Sequence, residues 1–294
     1  MPYAKAKDGT MLYYKDWGRG DPVVLMHGWP LTGDTFDDLG IKLVEAGKRA
    51  IIPDRRGFGR SDSPWDGYDY DTFADDVVAI LEDAGISQPV ALVGFSMGGG
   101  EVARLLSKQG RGRVSAAVLA SSVVPKVAQA DDYPDGVPQI ALDDIVKQMT
   151  TDRAGFLQSF LKDFFGVGLV SQPVSAGVLD SAFQQANMAS ARSTYAAAQA
   201  WASTDFRPDL PAFEGVPTLI IHGTSDKTVP FEGTAKKVAE ALPHAQLISY
   251  DGSPHGIFET DKARFCQDVV SFLTQDNRGT AADTSGSAIP LSAQ

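Results

Sequence analysis

The stretch Gly94-Phe95-Ser96-Met97-Gly98-Gly99-Gly100 leaves this 294-residue chain few folds to choose from. Ahead of it, Pro89 to Val93 is a short apolar, β-branched-rich run that reads as a fully buried strand. Behind it, Glu101 to Lys108 sets Val102, Leu105 and Leu106 at helical spacing. G-x-S-x-G between a strand and a helix presents a serine on a tight turn, its Oγ held clear of the sheet. A serine there takes strained backbone angles and needs flanks nearly free of side chains. Gly94 and Gly98 leave that space, and Gly99 and Gly100 let the helix approach closely. The N-terminus of that helix also favours negative charge at the serine. A glycine-rich turn can be purely structural. Set between this strand and this helix, it predicts a nucleophile at Ser96, and a base, an acid and an oxyanion hole must then be found elsewhere.

The chain around it alternates strands and helices. Ala4 to Lys7 and Met11 to Trp17 read as a hairpin across Asp8-Gly9-Thr10. Strands are expected at Pro22–Met26, Arg49–Pro53 and Val114–Ala120, with helices at Phe36–Gly47 and Thr72–Gly85. Alternation of this kind implies an α/β architecture, a mostly parallel sheet with helices on both faces. From Pro125 to about Ser203 no strand-like run appears, and helices are predicted over 142–149, 154–165, 174–189 and 193–201. Alternation resumes with the strand Val216–His222, the helix Phe231–Leu242, the strand Gln246–Tyr250 and the helix Asp261–Thr274. The expected organisation is one discontinuous core, 1–124 with 205–276, interrupted by a helical cap over 125–204. An insertion of about eighty residues tends to be functional. Residues 277–294, rich in Ala, Thr, Ser and Gly, read as a disordered tail.

Four histidines limit the search for the base. His27 and His222 each end a strand just before a glycine, where a structural hydrogen bond is the usual task, and His244 sits in a helix-to-strand loop. His255, in Gly252-Ser253-Pro254-His255-Gly256, comes after the last strand and can reach a serine at the carboxyl end of its own strand, where reacting groups gather in open parallel sheets. The orienting acid should fall between serine and histidine in chain order. Asp226, in the loop after Val216–His222, is favoured. Asp251 is too near His255 along the chain to brace it, and Asp205 lies at the exit of the insertion. An oxyanion hole needs two N–H donors, each worth about 2.7–4 kcal/mol. Met97 supplies one and Trp29, in the loop after Pro22–Met26, the other. Pro30 has no N–H; it restricts Trp29 and so governs where the Trp29 carbonyl points.

Composition narrows the partners. A formal charge of −11 and a pI near 4.8 repel nucleic acid and anionic membrane surfaces. No run approaches the eighteen or so apolar residues needed to span a bilayer, and Met1 to Lys5 lead into polar sequence without an apolar signal region. A cytoplasmic location is therefore the default expectation. The single cysteine, Cys266, cannot form an intramolecular disulfide, and neither H-E-x-x-H nor a Cys/His cluster suggests a metal.

The combination of Tyr14-Lys15-Asp16-Trp17-Gly18, His27-Gly28-Trp29-Pro30-Leu31, Asp54-Arg55-Arg56-Gly57-Phe58-Gly59-Arg60-Ser61, Tyr70 to Asp76, Gly94 to Glu101, Asp205-Phe206-Arg207 and His222-Gly223 is similar to the α/β-hydrolases. More closely it resembles their bacterial cofactor-free haloperoxidase, perhydrolase and aryl esterase group. The resemblance implies an eight-stranded α/β-hydrolase sheet with a helical cap and a triad of Ser96, Asp226 and His255. It implies a hole made by Trp29 and Met97, no cofactor, and assembly into trimers or hexamers. The implied chemistry is an acyl-enzyme formed from a small ester or carboxylic acid. Water releases the acid from it, or hydrogen peroxide releases a peracid, with Pro30 bearing on the choice. Pro30 could also merely stiffen a turn. A lactonase or γ-lactamase would use the same triad, and an aminopeptidase or carbon–carbon hydrolase would differ in the cap. A non-catalytic binding protein on this scaffold would usually have lost a triad member.

Overall fold

The computed structural model describes residues 2–275, so the tail expected over 277–294 lies outside the described residues. Eight strands form one sheet: β1 (Tyr3–Lys5), β2 (Met11–Gly18), β3 (Pro22–Met26), β4 (Arg49–Pro53), β5 (Val90–Phe95), β6 (Val114–Ala120), β7 (Thr218–Gly223) and β8 (Gln246–Tyr250). Their spatial order is β1-β2-β4-β3-β5-β6-β7-β8. β1 and β2 pair antiparallel in the register Ala4↔Leu12, β2 pairs antiparallel with β4, and every later pairing is parallel. β3 and β5 are buried along their whole lengths, as strands covered on both faces must be.

Helices α1 (Asp37–Glu45), α2 (Tyr70–Asp83) and α3 (Met97–Gln109) come after β3, β4 and β5 in turn, in the expected alternation. Asp69 caps α2 by accepting from the Thr72 N–H. α2 lays Phe73, Val77, Ile80 and Leu81 against the sheet. Between β6 and β7 come three helices, α4 (Gln139–Phe164), α5 (Ala176–Met188) and α6 (Ala191–Ser203). The two helices predicted over 142–149 and 154–165 run on as α4, broken at Asp152, where φ is −150° and ψ 85°. The Asp152 side chain accepts from the Gly155 N–H at 3.0 Å and so caps the second half. The two ends of this excursion meet, since the Phe206 N–H donates to the Pro125 carbonyl at 2.8 Å beside a Lys126–Asp205 bridge. α7 (Ala235–Ala241), α8 (Ile257–Thr260) and α9 (Lys262–Thr274) complete the core. α7 is shorter than its predicted span of 231–242. Among the described residues, no helix is long and apolar enough to cross a membrane.

The segment Asp54 to Ser61 after β4 is a clasp. Arg55 pairs with Glu101 of α3, Arg56 takes both carboxylate oxygens of Asp76 on α2 at 2.6 Å, and Arg60 pairs with Asp54 and Asp34. Arg55–Glu101 and Arg56–Asp76 are buried on both sides, so these two pairs are shielded from solvent in a way surface pairs are not. The consequence is local: the loop that carries them is fixed against the carboxyl ends of β3 and β5.

Candidate active site

Ser96 closes β5 and caps α3 with φ 55° and ψ −119°, a left-handed conformation that an L residue holds only when its surroundings enforce it. The glycines around it are enforced as well. A Cβ at Gly94 would lie 2.3 Å from the Gly98 carbonyl oxygen, and one at Gly98 would lie 2.1 Å from the Met26 carbonyl oxygen. Only residues without a side chain let the turn fold over β3 this closely.

The three residues predicted from sequence come together at this turn. His255 Nε2 lies 2.9 Å from Ser96 Oγ, and His255 Nδ1 lies 2.6 Å from Asp226 Oδ2. All three are buried. The other Asp226 oxygen, Oδ1, accepts the backbone N–H groups of Thr228 at 2.9 Å and Val229 at 2.8 Å. Burial by itself would raise the Asp226 carboxyl. The imidazoles of His255 and His222 outweigh it and hold the group well below the usual carboxylate range. An ionised Asp226 makes His255 Nδ1 the donor, which leaves Nε2 free to accept the serine proton. The rival acids lie elsewhere: Asp205 pairs with Arg207, and Asp251 accepts from Thr224 Oγ1.

The two residues expected to donate to an oxyanion, Met97 and Trp29, come from different segments. Met97 is the first residue of α3, where a helix leaves its N–H groups without intrahelical partners. Gly28 stands directly against the nucleophile, since a Cβ there would lie 3.0 Å from Ser96 Cβ and 2.6 Å from Phe95 Cδ1. Trp29 is the next residue along. Gly28 to Leu31 is a turn closed by the Leu31 N–H on the Gly28 carbonyl at 3.0 Å, with a cis Trp29–Pro30 bond. The Trp29 indole donates to the Thr194 carbonyl of α6 at 2.9 Å. Its ring meets Phe160 at 5.2 Å, Trp201 at 5.9 Å and Phe156 at 6.4 Å. Phe95 and Phe164 crowd the His255 ring at 5.0 and 4.7 Å. Helices α4 and α6 thus wall the reacting groups with aromatic side chains, and in so dry a setting each fixed dipole acts strongly.

Several residues support the site in ways that the sequence alone does not reveal. Arg55 Nη2 donates to the His27 carbonyl at 2.5 Å, and the Arg55 backbone N–H donates to His27 Nε2 at 2.9 Å. Burial, reinforced by the neighbouring Arg55 guanidinium, keeps the His27 imidazole neutral. Its Nδ1–H then meets the Gly28 carbonyl at 3.0 Å. Ser121, with φ 43°, donates through Oγ to the His255 carbonyl at 3.1 Å. His222, expected to make an ordinary structural bond, lies 3.1 Å from Asp226 Oδ2. The strand-end glycine pattern is the only hint of the two histidines, and it is the same for both.

The sequence matches the alpha/beta hydrolase fold family over residues 21–262. It is 41% identical over 277 residues to the non-heme chloroperoxidase CPO-A1 of Kitasatospora aureofaciens, covering 94% of this chain and 100% of that one. It is 39% identical over 276 residues to the bifunctional esterase/perhydrolase DCH of Acinetobacter calcoaceticus, covering 93% and 99%. Among solved structures, a bromoperoxidase from Bacillus anthracis superposes with a TM-score of 0.88 at 42% identity, over 92% of this chain and 99% of that one.

Proposed function

The chain belongs to the α/β-hydrolase fold family, within its non-haem haloperoxidase and perhydrolase group, and from that premise we propose how its residues divide the work. It is a serine hydrolase of carboxylic esters with perhydrolase activity. The observation that carries the assignment of roles is the continuous Ser96–His255–Asp226 chain of contacts at 2.9 and 2.6 Å.

In the proposed sequence, Ser96 Oγ attacks the ester carbonyl carbon while its proton passes to His255 Nε2. The carbonyl oxygen, now an anion, is held by the N–H groups of Trp29 and Met97. Collapse breaks the bond to the alcohol oxygen, which leaves with the proton from His255, and Ser96 is acylated. In the second half the acceptor gives its proton to His255 and its oxygen attacks the acyl carbon. Water yields the carboxylic acid and hydrogen peroxide the peracid, and Ser96 recovers its proton. A peracid released into solution oxidises bromide to hypobromous acid and returns to the carboxylic acid.

Ser96→Ala tests the assignment. It should abolish labelling by a fluorophosphonate and lower kcat on p-nitrophenyl acetate by about 10⁶-fold. Bromide oxidation in acetate plus peroxide should fall with it. A variant that keeps either activity near the wild-type rate would refute Ser96 as the nucleophile. We also propose that 125–204 acts as a cap over this site, supported by the contacts of α4 and α6 with Trp29. A cytoplasmic location remains the expectation from composition and a trimeric or hexameric assembly the expectation from the family resemblance, and light scattering on the purified protein tests the second.

A further inference from the structure

His222 is fully buried at the end of β7, next to Gly223. Its Nε2 faces two acceptors, the Val229 carbonyl oxygen at 2.8 Å and Asp226 Oδ2 at 3.1 Å. Neither brings a hydrogen, so Nε2 carries one and shares it between them. Its Nδ1 is buried with no hydrogen-bond partner among the described residues. A second proton there would have nothing to donate to, which leaves the neutral Nε2–H form as the one the surroundings accept.

The contacts close a ring. His222 holds the Val229 carbonyl, the Val229 N–H holds Asp226 Oδ1 at 2.8 Å, and Asp226 Oδ2 lies between His222 and His255. His222 therefore bears on both oxygens of the acid, on Oδ2 directly and on Oδ1 through Val229, whose N–H shares that oxygen with the Thr228 N–H. The groups facing it are few. Asp226 lies on its own loop and His255 beyond it; Ser249 pairs with it across β8, and the Phe231 ring lies edge-on at 5.9 Å. Ser121 N–H bonds the preceding carbonyl, that of Ile221, from the end of β6.

We propose that His222 is a positioning residue for the reaction: its neutral Nε2–H shares Asp226 Oδ2 with His255, fixing the carboxylate's direction and tempering its pull on the base. The proposal rests on the triad reading above. With both imidazoles in place, the carboxylate's charge is divided between two donors. With His222 gone, the whole of Oδ2 turns to His255, whose protonated form is then favoured at a higher pH.

The test uses the full chain. His222→Leu removes the donor, while His222→Gln carries an amide N–H of similar reach. In His222→Leu the acid limb of the kcat/KM profile on p-nitrophenyl acetate should move to higher pH, and kcat/KM at its plateau should fall about tenfold. His222→Gln should return the limb to the wild-type position. A role in folding alone would lower the melting temperature and leave the limb where it is, and that result would overturn the proposal. Should His222→Leu fail to fold, wild-type protein labelled with ¹⁵N-histidine decides. At the pH of the assay its His222 must show one protonated Nε2 and a bare Nδ1, as the contacts require. A cationic or Nδ1–H His222 would overturn it. Retained activity in Ser96→Ala would instead bring down the triad reading, independently of any of these outcomes.

Discussion

Replacing Gly28 with alanine asks whether the 27–30 loop and the nucleophile turn form one rigid unit. The new Cβ would lie 2.6 and 2.8 Å from two carbons of the Phe95 ring and 3.0 Å from Ser96 Cβ. Ordinary carbon contacts begin near about 3.5 Å, so the neighbours must yield by somewhat under 1 Å. Phe95 has no room to do so. Its ring is fully buried and hemmed in by His255 at 5.0 Å, Phe258 at 5.0 Å and Phe164 at 5.9 Å. Overpacking a filled site of this kind costs about 1–3 kcal/mol. The displacement falls on Ser96, His255 or the Trp29 amide, and a misplacement of about 1 Å can cost 10²-fold in rate. We expect Gly28→Ala to fold with a lowered melting temperature and a kcat on p-nitrophenyl acetate reduced by about 10²-fold. Gly168→Ala, at a loop glycine with open space around its Cβ position, serves as the control. Active-site titration with a fluorophosphonate separates slow turnover from a reduced active fraction. A Gly28→Ala enzyme with wild-type kcat and melting temperature would refute the tight contact on which the oxyanion reading depends.

Glu101→Gln leaves the buried Arg55 guanidinium without its counter-charge and should destabilise the fold by about 3–5 kcal/mol, read by urea denaturation. Asp226 is held below its unfolded value, so its contribution to stability is full above the unfolded pKa, about 3.9, and is lost as pH falls through the folded one. Asp226→Asn should therefore flatten the fall in stability below about pH 4, and lower kcat by about 10⁴-fold by presenting His255 in the wrong tautomer. If Pro30 directs the Trp29 carbonyl toward bound peroxide, Pro30→Leu will lower the ratio of perhydrolysis to hydrolysis; an unchanged ratio would return Pro30 to a plain turn residue.

How far the sequence is legible depends on how local the cause is. β3, β4, β6 and β8 have the limits predicted from the sequence; the first three are short, largely apolar runs bounded by Gly, Pro, Asp or polar residues, and β8 is a more polar edge strand between the Pro243 loop and Asp251-Gly252. The nucleophile turn is legible for the same reason, since its strain and its glycines are neighbours in the chain. The break in α4 is visible too. Thr150, Thr151 and Asp152 are poor helix formers in succession, and Asp152 caps the half of the helix beyond it. His27 and His222 show the limit. Both end a strand before a glycine, and the sequence predicts a structural bond for each. One supports the Gly28 carbonyl and the other meets the acid of the triad, a difference set by β7 lying two strands from β5 while β3 lies beside it. Arg55 and Glu101 stand in recognisable segments, yet nothing local tells which of the three arginines reaches which acid.

That pairing bears on the rate as well as on stability. An oxyanion hole works when its donors are already aimed before charge develops, so that no reorganisation is needed at the moment of reaction. Trp29, in the loop after β3, and Met97, at the start of α3, are the proposed donors, and their relative position is fixed by whatever joins β3's end to α3. Two features do so. Gly98 lets the α3 turn press against the Met26 and His27 carbonyls, and Arg55 grips the His27 carbonyl at 2.5 Å while its other edge is held by Glu101, one turn into α3. The ion pair is buried on both sides, so an apolar replacement of similar volume could match its contribution to stability. It could not hold the His27 carbonyl. A paired Arg55→Met and Glu101→Leu variant should thus recover much of the stability lost in Glu101→Gln without recovering kcat. Recovery of both together would show that the clasp is a matter of folding alone and that the hole is aimed by the glycines.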